Sequence, residues 1–149
     1  MIFKNNKMIQ LKTLVVSLFF ILVMQQSFGQ VYKFQTTGFS VLEKNEKGSW
    51  GKWSDLQNVN LMVTLDTNKN RIVVYSQEIQ VYDILDYQEK QENETDQVYS
   101  FNCKDIDGEI FTISIITRKQ QNNRKQLYIN QKNVIIVYNI VNFLETTDK

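Results

Sequence analysis

The chain has 149 residues, enough for one domain, with 17 basic and 16 acidic side chains and a formal net charge of +1. It has no histidine, no proline, five glycines and one cysteine. These counts remove the usual general base and commonest metal ligand, any Gly-rich phosphate loop and any internal disulfide.

The first residues carry Lys4, Lys7 and Lys12 with no acidic residue to offset them. Residues 13–24, TLVVSLFFILVM, form a short run that is apolar except for Thr13 and Ser17, and Ser27-Phe28-Gly29 then offers a small-x-small exit. Charged start, short apolar core and small-residue exit predict a secretory signal peptide over residues 1–29, cleaved between Gly29 and Gln30. A membrane anchor would need about 20 apolar residues, so no transmembrane segment is expected in the mature chain. The expected product is exported, to the periplasm, the outer surface or the extracellular space. The exit Ser27-Phe28-Gly29-Gln30 and the β-rich body resemble uncharacterised small secreted proteins of Gram-negative bacteria. That resemblance implies no functional residue.

Removing residues 1–29 takes three lysines and no acidic residue, leaving 120 residues with 14 basic against 16 acidic groups, a net charge of −2. Such a chain has no electrostatic reason to bind nucleic acid. One domain is expected over 30–149, with a frayed tail from Glu145.

Taken in order, 31–43 alternates apolar residues in two phases, Tyr32 and Phe34 then Phe39 and Val41, with Gly38 between them where a bulge would reset the register. Asn45-Glu46-Lys47-Gly48 reads as a turn, and Trp50 and Trp53 follow in a curled connection. Residues 59–65 and 72–75 form a hairpin about Asp66-Thr67-Asn68-Lys69-Asn70. Its register is open: an even loop pairs Val63 with Val74 and an odd loop pairs it with Val73. Further strands are expected at 79–84, 98–104, 109–117, 127–129 and 134–141, with 88–97 as the longest exposed loop. Residues 109–117 are apolar in both phases, which predicts cover on both sides. The sum is an all-β fold of about eight antiparallel strands, in a meander-type barrel or a curled β-sandwich.

Several groupings invite chemistry. Asp66, Asn68 and Asn70 alternate like a calcium loop, but the sixth and twelfth positions are Arg71 and Gln77 rather than glycine and glutamate. Asp105, Asp107 and Glu109 fail in the same way at Ile116, so both groups read as turns and no metal or other cofactor is expected. Asp83 and Asp86, with Glu89 beyond, are candidates for a carboxylate pair of the glycosidase kind, though a solvated strand-to-loop exit needs no function. Asn93-Glu94-Thr95 fits the glycosylation triplet. Arg118-Lys119 and Arg124-Lys125 flank a polar turn and read as protection against edge pairing. Cys103 alternates with Tyr99 and Phe101, which predicts a buried, inert thiol.

Trp50 and Trp53 are the ligand-binding candidates. Both fit a Gly-x-Trp pattern like that of lipocalin barrels, yet a strand precedes them and the later lipocalin motifs are missing. They line a site for a sugar, lipid or peptide, or they plug one end of the core, and the second reading is favoured because buried tryptophan contributes large apolar area. The functional expectation is a non-catalytic binding or interaction module, with a protein, lipid or glycan of the cell envelope as partner. A small-ligand carrier of lipocalin type is the alternative, and a carboxylate-only hydrolase the third.

Overall fold

A computed structural model describes residues 29–143. The signal peptide expected over 1–29 and the tail expected from Glu145 lie outside them, apart from Gly29. Ten strands follow in chain order: β1 (Val31–Glu43), β2 (Gln57–Asn58), β3 (Met62–Asp66), β4 (Arg71–Val74), β5 (Gln80–Tyr87), β6 (Gln91–Glu92), β7 (Asp96–Lys104), β8 (Ile110–Arg118), β9 (Arg124–Asn130) and β10 (Val134–Asn142). Eight of them run as antiparallel neighbours in the order β1-β3-β4-β5-β7-β8-β9-β10, and β10 pairs back onto β1. The fold is therefore a closed eight-stranded meander barrel, with β2 beside β1 and β6 beside β7 as additions. Closure through β1 and β10 excludes the sandwich.

Two bulges let the sheet curl. β1 shifts register against β10 between Thr36 and Gly38, so Phe34 and Thr36 face inward before the shift and Phe39, opposite the buried Tyr138, faces inward after it. Gly38 is required by a close approach. A Cβ there would lie 3.0 Å from the Gln57 carbonyl oxygen and 3.2 Å from Leu56 Cδ1, where β2 crosses it. A second shift falls in β5 between Ile84 and Asp86.

The hairpin takes the even register. Val63 faces Val74, Leu65 faces Ile72 and Asp66 faces Arg71. Asp66 Oδ1 accepts from the backbone N–H groups of Asn68 and Lys69, and Asn70 takes a positive φ of 49°. The same device recurs where proline is missing: Asn45, Asn93 and Asp105 each accept backbone N–H groups two to four residues on.

Side chains from all eight barrel strands meet in one cluster that includes Val63, Ile72, Val74, Cys103, Ile113, Leu127 and Ile129, each 2% exposed or less. An eight-stranded barrel is just wide enough to be filled this way. The outer face of β8 corrects an expectation. Ile110 is exposed, Thr112 and Ile116 are half-buried and only Ser114 is buried on that face, so the wall is covered by its own neighbours in part and not on both sides throughout.

Candidate functional site

The tryptophans sit on the long connection between β1 and β3, at the barrel end that also carries the 75–79 and 105–109 connections. The segment folds straight back along β1. Asn45 N–H donates to the Ser49 carbonyl at 2.8 Å, Gly48 closes the turn with a φ of 79°, and Lys44 bridges to Trp50. Gly51 N–H then donates to the Glu43 carbonyl and Ser54 N–H to the Val41 carbonyl, both at 2.8 Å, while Ser54 Oγ accepts from Val41 N–H at 2.9 Å. Trp53 is thus held between two anchored residues.

Neither tryptophan plugs the core. Trp50 is 43% exposed and Trp53 46% exposed, and Leu56 beside them is 60% exposed. The expectation of a buried plug is overturned because an aromatic layer of shorter side chains already closes this end: Tyr82 meets Phe111 edge-on at 5.1 Å, and Phe39 meets Tyr138 at 6.0 Å. Burial pushes the Tyr82 hydroxyl up to about 12, so it stays neutral within that layer. Lys44 Nζ stands 4.8 Å from the centre of the Trp50 ring, a cation–π contact that fixes one face of the indole. A shallow cleft of about 440 Å³ lined by Val41, Glu43, Lys44, Gly51, Lys52 and Ser54 runs beside the pair. Across the same end Tyr75, Ile79, Ile106 and Ile110 are exposed as well, Ile106 at 93%. Sequence pattern could not reveal this rim, since isolated apolar residues in turns carry no periodic signal.

The other candidates are placed elsewhere. Asp83 lies on the outer wall, its side chain between the inward Tyr82 and Ile84, and Oδ1 accepts from Arg71 Nε at 3.0 Å. Asp86 follows the bulge and takes a hydrogen bond from Asn102 Nδ2 at 3.5 Å. Glu89 is exposed in the connection between β5 and β6. Among the described residues no group of three or more acidic or cysteine side chains is placed to hold a metal ion. Asp66 and Asp105 each commit Oδ1 to two backbone N–H groups, as the turn reading requires. Asn93 Oδ1 accepts from Thr95 and Asp96 N–H and from the Thr95 hydroxyl, closing the turn between β6 and β7. Cys103 is fully buried, and burial, aided by the Asp83 charge, pushes its thiol up to about 12.

The basic cluster does something different from edge protection. β8 and β9 are paired on both sides and have no free edge along their shared length. Arg118 Nη1 instead reaches Asp96 Oδ2 at 3.0 Å, and Lys119 Nζ reaches Glu92 Oε1 and the Asn93 carbonyl at 2.8 Å. Lys119 thereby clamps the β6 strand to the barrel, while Arg118 ties the end of β8 to the start of β7. β6 pairs with β7 alone, and Glu89, Lys90 and Glu92 place the charges that discourage strand addition there.

No protein-family model, no curated protein and no solved structure matches the chain. The functional reading therefore rests on geometry and chemistry.

Proposed function

We propose that the chain is an exported, non-catalytic binding module that meets a macromolecular partner at the cell envelope through Trp50, Trp53 and Leu56. The rigid display of two tryptophans at a barrel end that needs neither of them for its core carries this reading. Aromatic residues held in one conformation lose little entropy on binding, and tryptophan is prominent among residues that dominate interfaces. Burying the exposed half of one indole contributes about 2 kcal/mol by its area. Export rests on the charged start, the apolar run at 13–24 and the small-residue exit. The absence of histidine from the whole chain and the ties of Asp83 to Arg71 and of Asp86 to Asn102 support a role without catalysis.

A carrier that encloses its ligand would need interior space that the core cluster occupies, so the outer rim is the better-supported contact surface. The test is affinity capture from detergent-solubilised envelope with the wild-type protein and with Trp50→Ser/Trp53→Ser. A discrete partner retained by the wild type and lost by the variant, with unchanged thermal stability, supports the assignment. Equal retention by both proteins removes the tryptophans from it.

A further inference from the structure

The barrel end remote from the tryptophans is built on tyrosine. Tyr32 stands opposite Leu65, Tyr87 opposite Phe101 and Tyr99 opposite Ile115. Cross-strand partners share a face, and Leu65, Phe101 and Ile115 all belong to the core, so the three tyrosines turn toward the barrel axis. Each nevertheless stays exposed, at 45%, 46% and 42% respectively, because each lies close to the mouth. The turn and strand ends close around them. Tyr87 donates to Asn70 Oδ1 at 2.7 Å, and its ring packs edge-on against Phe101 at 5.6 Å. Gln97 Nε2 lies 3.5 Å from the Tyr99 hydroxyl, and Lys90 Nζ stands 5.7 Å from the centre of the Tyr99 ring. Thr117, opposite Gln97, continues the wall. Beneath them Ile72, Phe101, Ile115 and Ile140 form a closed floor.

We infer that this mouth binds the end of a neutral oligosaccharide, its pyranose ring stacked on Tyr87 and Tyr99 and its hydroxyls taken by Asn70, Gln97 and Thr117. A pyranose is flat, with an apolar C–H face and a rim of hydroxyls, which matches aromatic walls edged by amides and a hydroxyl. The floor leaves no depth for an acyl chain. A nucleic-acid strand also stacks on aromatic rings but needs a track of cations for its phosphates, and here Glu92 holds both Lys90, at 2.7 Å, and Lys119, at 2.8 Å, while Lys125, opposite Thr117, donates to Asn142 Oδ1 at 3.3 Å. The site is separate from the tryptophan rim and stands independently of the binding role assigned there.

The test is a backbone-amide NMR titration of the protein with cellohexaose, chitohexaose and maltohexaose into the millimolar range. At least one sugar is expected to shift resonances of Asn70, Tyr87, Gln97 and Tyr99. Tyr99→Ala then weakens that binding about tenfold, Tyr99→Phe keeps it within about threefold, and Gln97→Ala, a change at a partly exposed polar site, weakens it several-fold. Trp50→Ser/Trp53→Ser leaves it unchanged. The inference is overturned if none of the three sugars shifts the mouth, if the shifts centre on Trp50 and Trp53, or if both Tyr99→Ala and Gln97→Ala bind like the wild type.

Discussion

Cys103 shows how one buried side chain links pH to stability. Its thiol rises from an ordinary value near 9 to about 12, through burial first and the negative charge of Asp83 second. The unfolded chain therefore releases this proton at lower pH than the folded one. The stability that the neutral thiol contributes is fully present below about pH 9 and is lost progressively as pH rises toward 12. Chemical denaturation between pH 8 and pH 11 is expected to show a falling midpoint, and Cys103→Ala is expected to flatten that part of the profile. In the native protein the thiol stays unreactive toward a disulfide reagent at neutral pH, and it reacts once denaturant is added. Glu92 runs in the opposite sense. Hydrogen bonds from Lys119 and then Lys90 hold its carboxyl down at about 2, so its clamp on β6 is complete above the ordinary carboxylate range and fails as pH falls through about 2. An NMR titration of the Glu92 carboxyl is expected to find that midpoint, and Lys119→Ala is expected to raise it toward the ordinary value.

At the scale of elements, sequence pattern succeeded where local chemistry decides the outcome. Gly38 between two apolar phases announces the bulge in β1, because only a register shift lets Phe34 and Phe39 both face inward. Asp66 and Asn70 announce the turn after β3. The hairpin register was not legible: Ile72, Val73 and Val74 are all at most 9% exposed, Val73 being covered on the outer wall by Thr64 and Val81 opposite it. An apolar residue on each face leaves alternation without a preference. The fate of the tryptophans was not legible either, since what excludes them from the core is an aromatic layer assembled from β1, β5, β8 and β10. Free edges were misplaced for a related reason: closure between β1 and β10 is a long-range event with no local signature. The bulge yields a sharp test. Gly38→Val forces a branched side chain against the Gln57 carbonyl and Leu56, and overpacking of this kind costs about 1–3 kcal/mol. A lowered melting temperature is expected, with faster amide exchange at Val59 and Leu61, whose N–H groups bond back to β1.

At the scale of the molecule, the barrel is a filled cylinder with unlike ends. The core is continuous from wall to wall, so the interior supports the fold. Ile113→Ala, at a fully buried position, is expected to cost about 2–5 kcal/mol in equilibrium unfolding without changing the chemistry of either end. One end displays Trp50 and Trp53 on an anchored connection, and these are the only two tryptophans in the chain. Under tryptophan-selective excitation, and with the envelope's own emission subtracted, intrinsic fluorescence therefore reports on the proposed contact surface. Collisional quenching of that fluorescence, in the free protein and then with solubilised envelope, is the most direct measurement. A binding module of the kind proposed gives tryptophans that are open to the quencher when free and become shielded, with blue-shifted emission, when the envelope is added. Tryptophans already shielded in the free protein, or equally open in both conditions, would contradict it.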